Sequence, residues 1–165
     1  NQQRVVDTVC SDLDVGIHKT YLLRGVTGSG KTEVYMELIA HTVAQGRQAI
    51  VLIPEIALTY QTVMRFYNRF GDRVSIMNSK LSQGERFDQF ERAKAGDIDI
   101  MIGPRSALFT PFPHLGLIII DEEHETSYKS ETAPRYHARD VAIERACMND
   151  ASVLLGSATP SVDSN

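Results

Sequence analysis

The sequence predicts an α/β domain, a mostly parallel sheet with helices on both faces. Two observations carry that prediction. Short β-branched runs alternate with longer amphipathic stretches along the chain, which is the rhythm of βαβ units. Several of the short runs are apolar at every position, as strands buried on both sides should be, whereas strands of a one-sided antiparallel sheet would alternate. Size agrees, because 165 residues with 42% hydrophobic content are enough to bury the core of one ordinary domain. Nothing that looks like an internal repeat, low-complexity tract or linker argues for a second.

In chain order, the first strand is expected at Thr20 to Arg24, followed by a glycine-rich turn and a helix over Lys31 to Gln45 that Gly46 stops. Val34, Met36, Leu38 and Ile39 of that helix are assigned to the core. A strand at Gln48 to Ile53 leads to a helix over Leu58 to Phe70, with Gly71 as its stop. After a strand at Val74 to Met77 comes a helix over Glu85 to Ala95. It is announced by a capping box at Ser82 and Glu85 and ended by Gly96. Strands at Ile98 to Ile102 and Gly116 to Ile120, a helix over Ala138 to Asn149 and a strand at Ser152 to Gly156 complete the set.

Composition removes several function classes. No apolar run approaches the ~18 residues needed to span a bilayer, and the N-terminus lacks the charged-then-apolar pattern of a secretion signal, so a soluble cytoplasmic chain with no membrane partner is expected. Cys10 and Cys147 are far apart and form no C-x-x-C pair, which suggests neither a zinc site nor a disulfide framework. A formal net charge of -4 shows no bulk basic footprint, so any nucleic-acid contact must come from local patches. The absent initiator Met and the end at Asn165 are what a piece of a longer protein would show.

The glycine-rich turn is Gly25-Val26-Thr27-Gly28-Ser29-Gly30-Lys31-Thr32, a G-x-x-x-x-G-K-T pattern between a predicted strand and a predicted helix. Gly25, Gly28 and Gly30 let the backbone curl so that successive N–H groups and the helix N-terminus face the β- and γ-phosphates of ATP. Lys31 adds a mobile positive charge, and Thr32 a hydroxyl for Mg²⁺. The second protein ligand of that ion is expected to be Asp121, where Leu117-Ile118-Ile119-Ile120 runs into Asp121-Glu122-Glu123-His124. Glu122 stands where a general base could polarise an attacking water, which favours hydrolysis over phosphate transfer to a metabolite. His124 has two readings, a local hydrogen bond or a relay of the nucleotide state. Further on, Gly156-Ser157-Ala158-Thr159-Pro160-Ser161 brings the Ser157 and Thr159 hydroxyls to the end of another strand. Between these segments Lys129, Arg135, His137 and Arg139 are interleaved with Tyr128 and Tyr136, a mixture of cations and aromatics that suits single-stranded nucleic acid. A kinase or small-molecule ATPase of the same phosphate-loop class, and a non-catalytic nucleotide-gated binding module, are the rival classes.

The succession GSGKT, DEEH, SAT resembles the first motor domain of superfamily 2 helicases, a RecA-like fold. With GVTGSGKTEVY, LIPEIALT, GPRSALFTPF, IIIDEEHETSYK, RYHARDVA and GSATPS it is similar, over nearly the whole chain, to the PriA family of bacterial primosomal replication-restart helicases. That resemblance implies an ATP-dependent, Mg²⁺-using DNA helicase acting on single-stranded and forked DNA. It also implies primosome proteins and single-stranded DNA-binding protein as partners. A DNA-binding domain, a second motor lobe and a zinc-bearing segment would be supplied by parts of the protein outside this chain. Residue by residue, it implies that Gln2 or Gln3 reads the adenine edge. Pro54, Glu55 and Thr59 (motif Ia) and Arg105 and Ser106 (motif Ib) would face single-stranded DNA, and Ser157 and Thr159 would couple hydrolysis to it. The chain departs from the family pattern at Asn78 and Pro104, where His and Thr are usual.

Overall fold

A computed structural model describes residues 7–12, 19–23, 29–78, 80–121 and 138–156. Six strands form one sheet in the order β1-β6-β5-β2-β4-β3, every neighbouring pair parallel. They are β1 Thr20–Leu23, β2 Gln48–Leu52, β3 Val74–Ile76, β4 Ile100–Gly103, β5 Leu115–Asp121 and β6 Ser152–Gly156. The helices are α1 Ser29–Ala44, α2 Tyr60–Phe70, α3 Gln83–Ala95 and α4 Ala138–Asn149, and residues 7–12 are helical as well.

Helices cover both faces because the strands are apolar on both. Ala49 and Val51 of β2, Leu117 and Ile119 of β5 and Leu154 of β6 pack with Val34, Leu38 and Ile39 of α1 and Phe66 of α2. Their strand neighbours Ile50, Leu52, Ile118, Ile120, Val153 and Leu155 point the other way, onto Ala93 of α3 and Ala142 and Ala146 of α4. The period of two thus divides one sheet between two cores. Burial of each Leu, Ile or Val side chain contributes roughly 1.5–3 kcal/mol. Val34, Met36, Leu38 and Ile39 are all core, as their helical spacing predicts. Across the surface of the first core, Arg65 and Arg69 of α2 pair with Glu33 and Glu37 of α1 at 2.9 and 3.0 Å.

Element ends follow local chemistry. Gly46, Gly71 and Gly96 all carry positive φ (80°, 60° and 82°), the backbone conformation that ends the helices before them. The capping box forms in full: Glu85 N–H donates to Ser82 Oγ at 3.1 Å, and Ser82 N–H donates to Glu85 Oε1 at 2.8 Å. α3 therefore begins at Gln83, a turn's fraction before the expected Glu85. α2 starts at Tyr60 instead of Leu58 because Thr59 is its N-cap, accepting from Thr62 N–H at 3.2 Å. β4 starts at Ile100 instead of Ile98. The Arg73 guanidinium holds the Gly96 and Asp97 carbonyls at 2.7 and 2.9 Å and pairs with Asp99 at 2.8 Å, so 96–99 form an anchored turn whose Ile98 is still fully buried. Three single 3₁₀ segments, Glu55–Ala57, Gly71–Arg73 and Arg105–Phe109, were not anticipated from the sequence. Among the described residues no helix is long and apolar enough to cross a membrane, and both cysteines are free thiols.

Ser82→Ala removes one half of the capping box and is expected to cost about 1 kcal/mol of stability. Urea denaturation of the intact protein should show it as a lower midpoint with an unchanged slope, and ATP affinity should not move.

Candidate functional site

The parallel register sets three strand ends side by side: Leu23 of β1 pairs with Gly156 of β6, which pairs with Asp121 of β5. α1 follows β1, so its first turn starts at the carboxyl end of this row. Two of its side chains reach Asp121. Lys31 Nζ lies 2.8 Å from Asp121 Oδ1, with the two side chains only 7% and 10% exposed. Tyr35, one helical turn along on the same face, donates its hydroxyl to the same oxygen at 2.6 Å. A buried carboxylate without a partner would cost several kcal/mol, and here it has a cation and a neutral donor.

Gly156 explains how α1 can lie so close to β6. A Cβ at that position would sit 1.9 Å from the Tyr35 hydroxyl oxygen and 3.0 Å from Cζ. The ring rests on bare backbone, which only glycine provides. Space, not backbone conformation, is what this glycine supplies.

Ser29, Gly30, Lys31 and Thr32 form the first turn of α1, with Thr32 half-buried. Amide groups of a first turn lack intrahelical acceptors and carry the positive end of the helix dipole. A cation and a carboxylate in contact at such a turn, with a threonine in the same turn, have the chemistry of a set that takes a polyphosphate with a divalent ion. The Lys31–Asp121 contact shows that the two opposite charges share one place.

On the same edge of the sheet lie the ends of β2 and β4, which pair with each other. Pro54 is buried after β2, while Glu55 and Thr59 are exposed. Ile56 and Tyr60 beside them are 89% and 79% exposed. At the end of β4, Gly103 passes so close to the residue following β3 that a Cβ would lie 2.7 Å from the Met77 carbonyl oxygen. Arg105 and Ser106 are half-buried in the 3₁₀ segment that follows. Arg145 of α4 donates to the Leu108 and Thr110 carbonyls and so ties this segment to α4. Burial lowers the pKa of its guanidinium from the ordinary value.

The structure therefore brings Lys31 and Asp121 together, leaves Thr32 in the same first turn as Lys31, and sets Pro54, Glu55, Thr59, Arg105 and Ser106 along the same edge. Arg139 falls in the first turn of α4. Gln2, Gln3, Gly25, Val26, Thr27, Gly28, Glu122, His124, Tyr128, Lys129, Arg135, Tyr136, His137, Ser157 and Thr159 lie outside the described residues. Sequence reasoning missed Tyr35 and the reason for Gly156. A signal existed for the first, since Tyr35 is one helical turn from Lys31.

A strand, a glycine-rich sequence and a helix whose lysine meets an acid at the end of a non-adjacent strand define a nucleotide-binding α/β domain of the RecA-like class. The family described as DEAD/DEAH box helicase matches residues 1–165, and the chain belongs to that family. It is 51% identical over 163 residues to the replication restart protein PriA of Bacillus subtilis (strain 168), covering 99% of this chain and 20% of that protein. To the replication restart protein PriA of Haemophilus influenzae it is 52% identical over 144 residues, covering 87% of this chain and 20% of that protein. The chain thus spans about a fifth of the length of the curated relatives it matches. Among solved structures, RecG bound to a three-way DNA junction superposes with a TM-score of 0.71 at 25% identity, covering 99% of this chain and 21% of RecG. Domain 2 of the DEAD-box helicase Mss116p, bound to an RNA duplex, gives 0.64 at 15% identity, covering 86% of this chain and 54% of that one; this likeness shows the fold.

The buried pair generates a crossed prediction. Asp121→Asn frees Lys31 from its counter-charge, so ATP binding in EDTA should tighten about 10-fold, equivalent to ~1.4 kcal/mol. With Mg²⁺ in excess the same variant should bind ATP more weakly than wild type. Calorimetry under the two conditions reads both signs.

Proposed function

We propose that this chain is the ATP-binding motor lobe of an ATP-dependent DNA helicase acting in replication restart and primosome assembly in the bacterial cytoplasm. The observation that carries the reading is the buried Lys31–Asp121 contact at the carboxyl end of the sheet. The half-identity to replication restart proteins over nearly the whole chain gives it its direction. Zinc, a DNA-binding domain and a second lobe are expected in parts of the protein outside this chain. Single-stranded and forked DNA, primosome proteins and single-stranded DNA-binding protein are the proposed partners. A phosphate-loop kinase or small-molecule ATPase is not favoured, because the helicase family matches from residue 1 to residue 165.

In this reading the backbone from Gly25 to Gly30, including Val26, Thr27, Gly28 and Ser29, cradles the phosphates. Lys31 leaves Asp121 to neutralise the β/γ oxygens. Thr32 and Asp121 would hold Mg²⁺, which would offset the charge of the phosphates. Glu122 orients and deprotonates the attacking water, and Gln2 or Gln3 reads the adenine edge. Pro54, Glu55, Thr59, Arg105 and Ser106 track single-stranded DNA along the edge built by β2 and β4. Tyr128, Lys129, Arg135, Tyr136, His137 and Arg139 add stacking and phosphate pairing. Ser157 and Thr159, which follow β6, report hydrolysis to the DNA side.

Two measurements on the intact protein test this. Glu122→Gln should keep ATP affinity and lower single-strand-stimulated ATPase by ~10²–10⁴, the usual contribution of a general base. A parallel loss of binding would make Glu122 a ligand instead. Replacing Tyr128, Arg135 and Tyr136 together with Ala should abolish DNA stimulation while leaving basal ATPase near wild type, because DNA then has no differential affinity for the hydrolysis-competent state. Full stimulation at saturating DNA would place coupling in the β2 and β4 segments. Turnover indifferent to DNA in the wild type would sink the helicase reading.

A further inference from the structure

Tyr35 is 1% exposed, and it is the side chain at which α1, β5 and β6 meet. Its hydroxyl donates to Asp121 Oδ1 at 2.6 Å, the same oxygen that Lys31 approaches to 2.8 Å. Its ring occupies the space that a side chain on Gly156 would need. We propose that Tyr35 is a positioning residue of the nucleotide site: its hydroxyl steadies the Asp121 carboxylate when Lys31 departs to a polyphosphate, and its ring ties that carboxylate to the end of β6. The proposal rests on the nucleotide-site reading above.

The physical argument is one of differential bonding. While Lys31 is paired, Oδ1 shares its charge between a cation and a phenol. Once the lysine swings to the phosphates, the nearly buried carboxylate loses that counter-charge, and the phenol no longer shares Oδ1 with a cation. Hydrogen bonds to ionised groups are the strong kind, and without the competing cation this one strengthens at that moment. Tyr35 thereby lowers the cost of releasing Lys31 and keeps Asp121 in one rotamer. The same hydroxyl lies 1.9 Å from where a Gly156 Cβ would be, so a shift of the β6 end toward α1 must move the phenol and, with it, Asp121. Because β6 leads directly into Ser157 and Thr159, Tyr35 connects the acid of one motif to the strand that carries the other.

The experiment is calorimetric titration of ATP into the intact protein in EDTA, where no metal contributes. Tyr35→Phe keeps the ring and removes the donor, and should weaken ATP binding about 3- to 10-fold. In an Asp121→Asn background the same change should have no effect, because no carboxylate is left to lose its cation; this non-additivity separates positioning from packing. Gly156→Ala, which displaces the hydroxyl from the other side, should weaken ATP binding in the wild-type background and lose that effect in the Asn background. It carries the test alone should Tyr35→Phe fail to fold by circular dichroism. Equal losses in both backgrounds, or no loss in the wild-type background, overturn the proposal. Undiminished ATP binding by Lys31→Ala would instead overturn the site reading itself, an outcome read independently of Tyr35.

Discussion

The ion pair between Lys31 and Asp121 is the contact on which the functional edge of this domain depends. Both side chains are nearly removed from water, and a buried charge that loses its partner is strongly destabilising. The pair therefore constrains everything that must deliver it. α1 has to start at the end of β1, Asp121 has to end β5, and β6, which lies between them, has to present no side chain at its last position. The register supplies all three conditions in one row, Leu23–Gly156–Asp121.

That row exists because the sheet is parallel and buried on both faces. All strand ends then point the same way, and the loops that leave them gather on one edge, where ligands of open α/β sheets bind. The surface ion pairs between α1 and α2 matter less, since exposed pairs contribute roughly 0–1 kcal/mol. Packing of Val34, Leu38, Ile39 and Phe66 on the sheet is what fixes the helix that carries Lys31 and Tyr35.

The other half of the edge has a different character. Ile56, Tyr60 and Phe109 are large, apolar and exposed, and the backbone around Phe109 is tightly held. The Met77 carbonyl leaves no room for a side chain on Gly103, and Arg145 anchors the segment Arg105–Phe109 from α4. Arg145 thereby links the 3₁₀ segment to α4, whose first turn holds Arg139.

Much of this domain was legible in its sequence, and for identifiable reasons. Strands apolar at every position, glycines at helix ends and a capping box are local signals, and all six strands and four helices expected from them are present, displaced at their ends by a few residues. The displaced start of β4 is decided by a distant group, since Arg73 captures the turn before it, whereas the start of α2 is decided locally, where the Thr59 cap outranks the apolar Leu58. Lys31 and Asp121 could be named from motif chemistry, because a phosphate loop and a strand-ending acid are each written in consecutive residues. Their contact could not, and neither could Tyr35 or the need for Gly156. Strand order and register determine which strand lies between which, and those depend on how two cores close around the whole sheet. Local signals in consecutive residues were enough to place the strands and helices and to single out Lys31 and Asp121. That a phenol and a bare glycine backbone stand beside their contact follows from packing among residues far apart in the chain, which no local signal records.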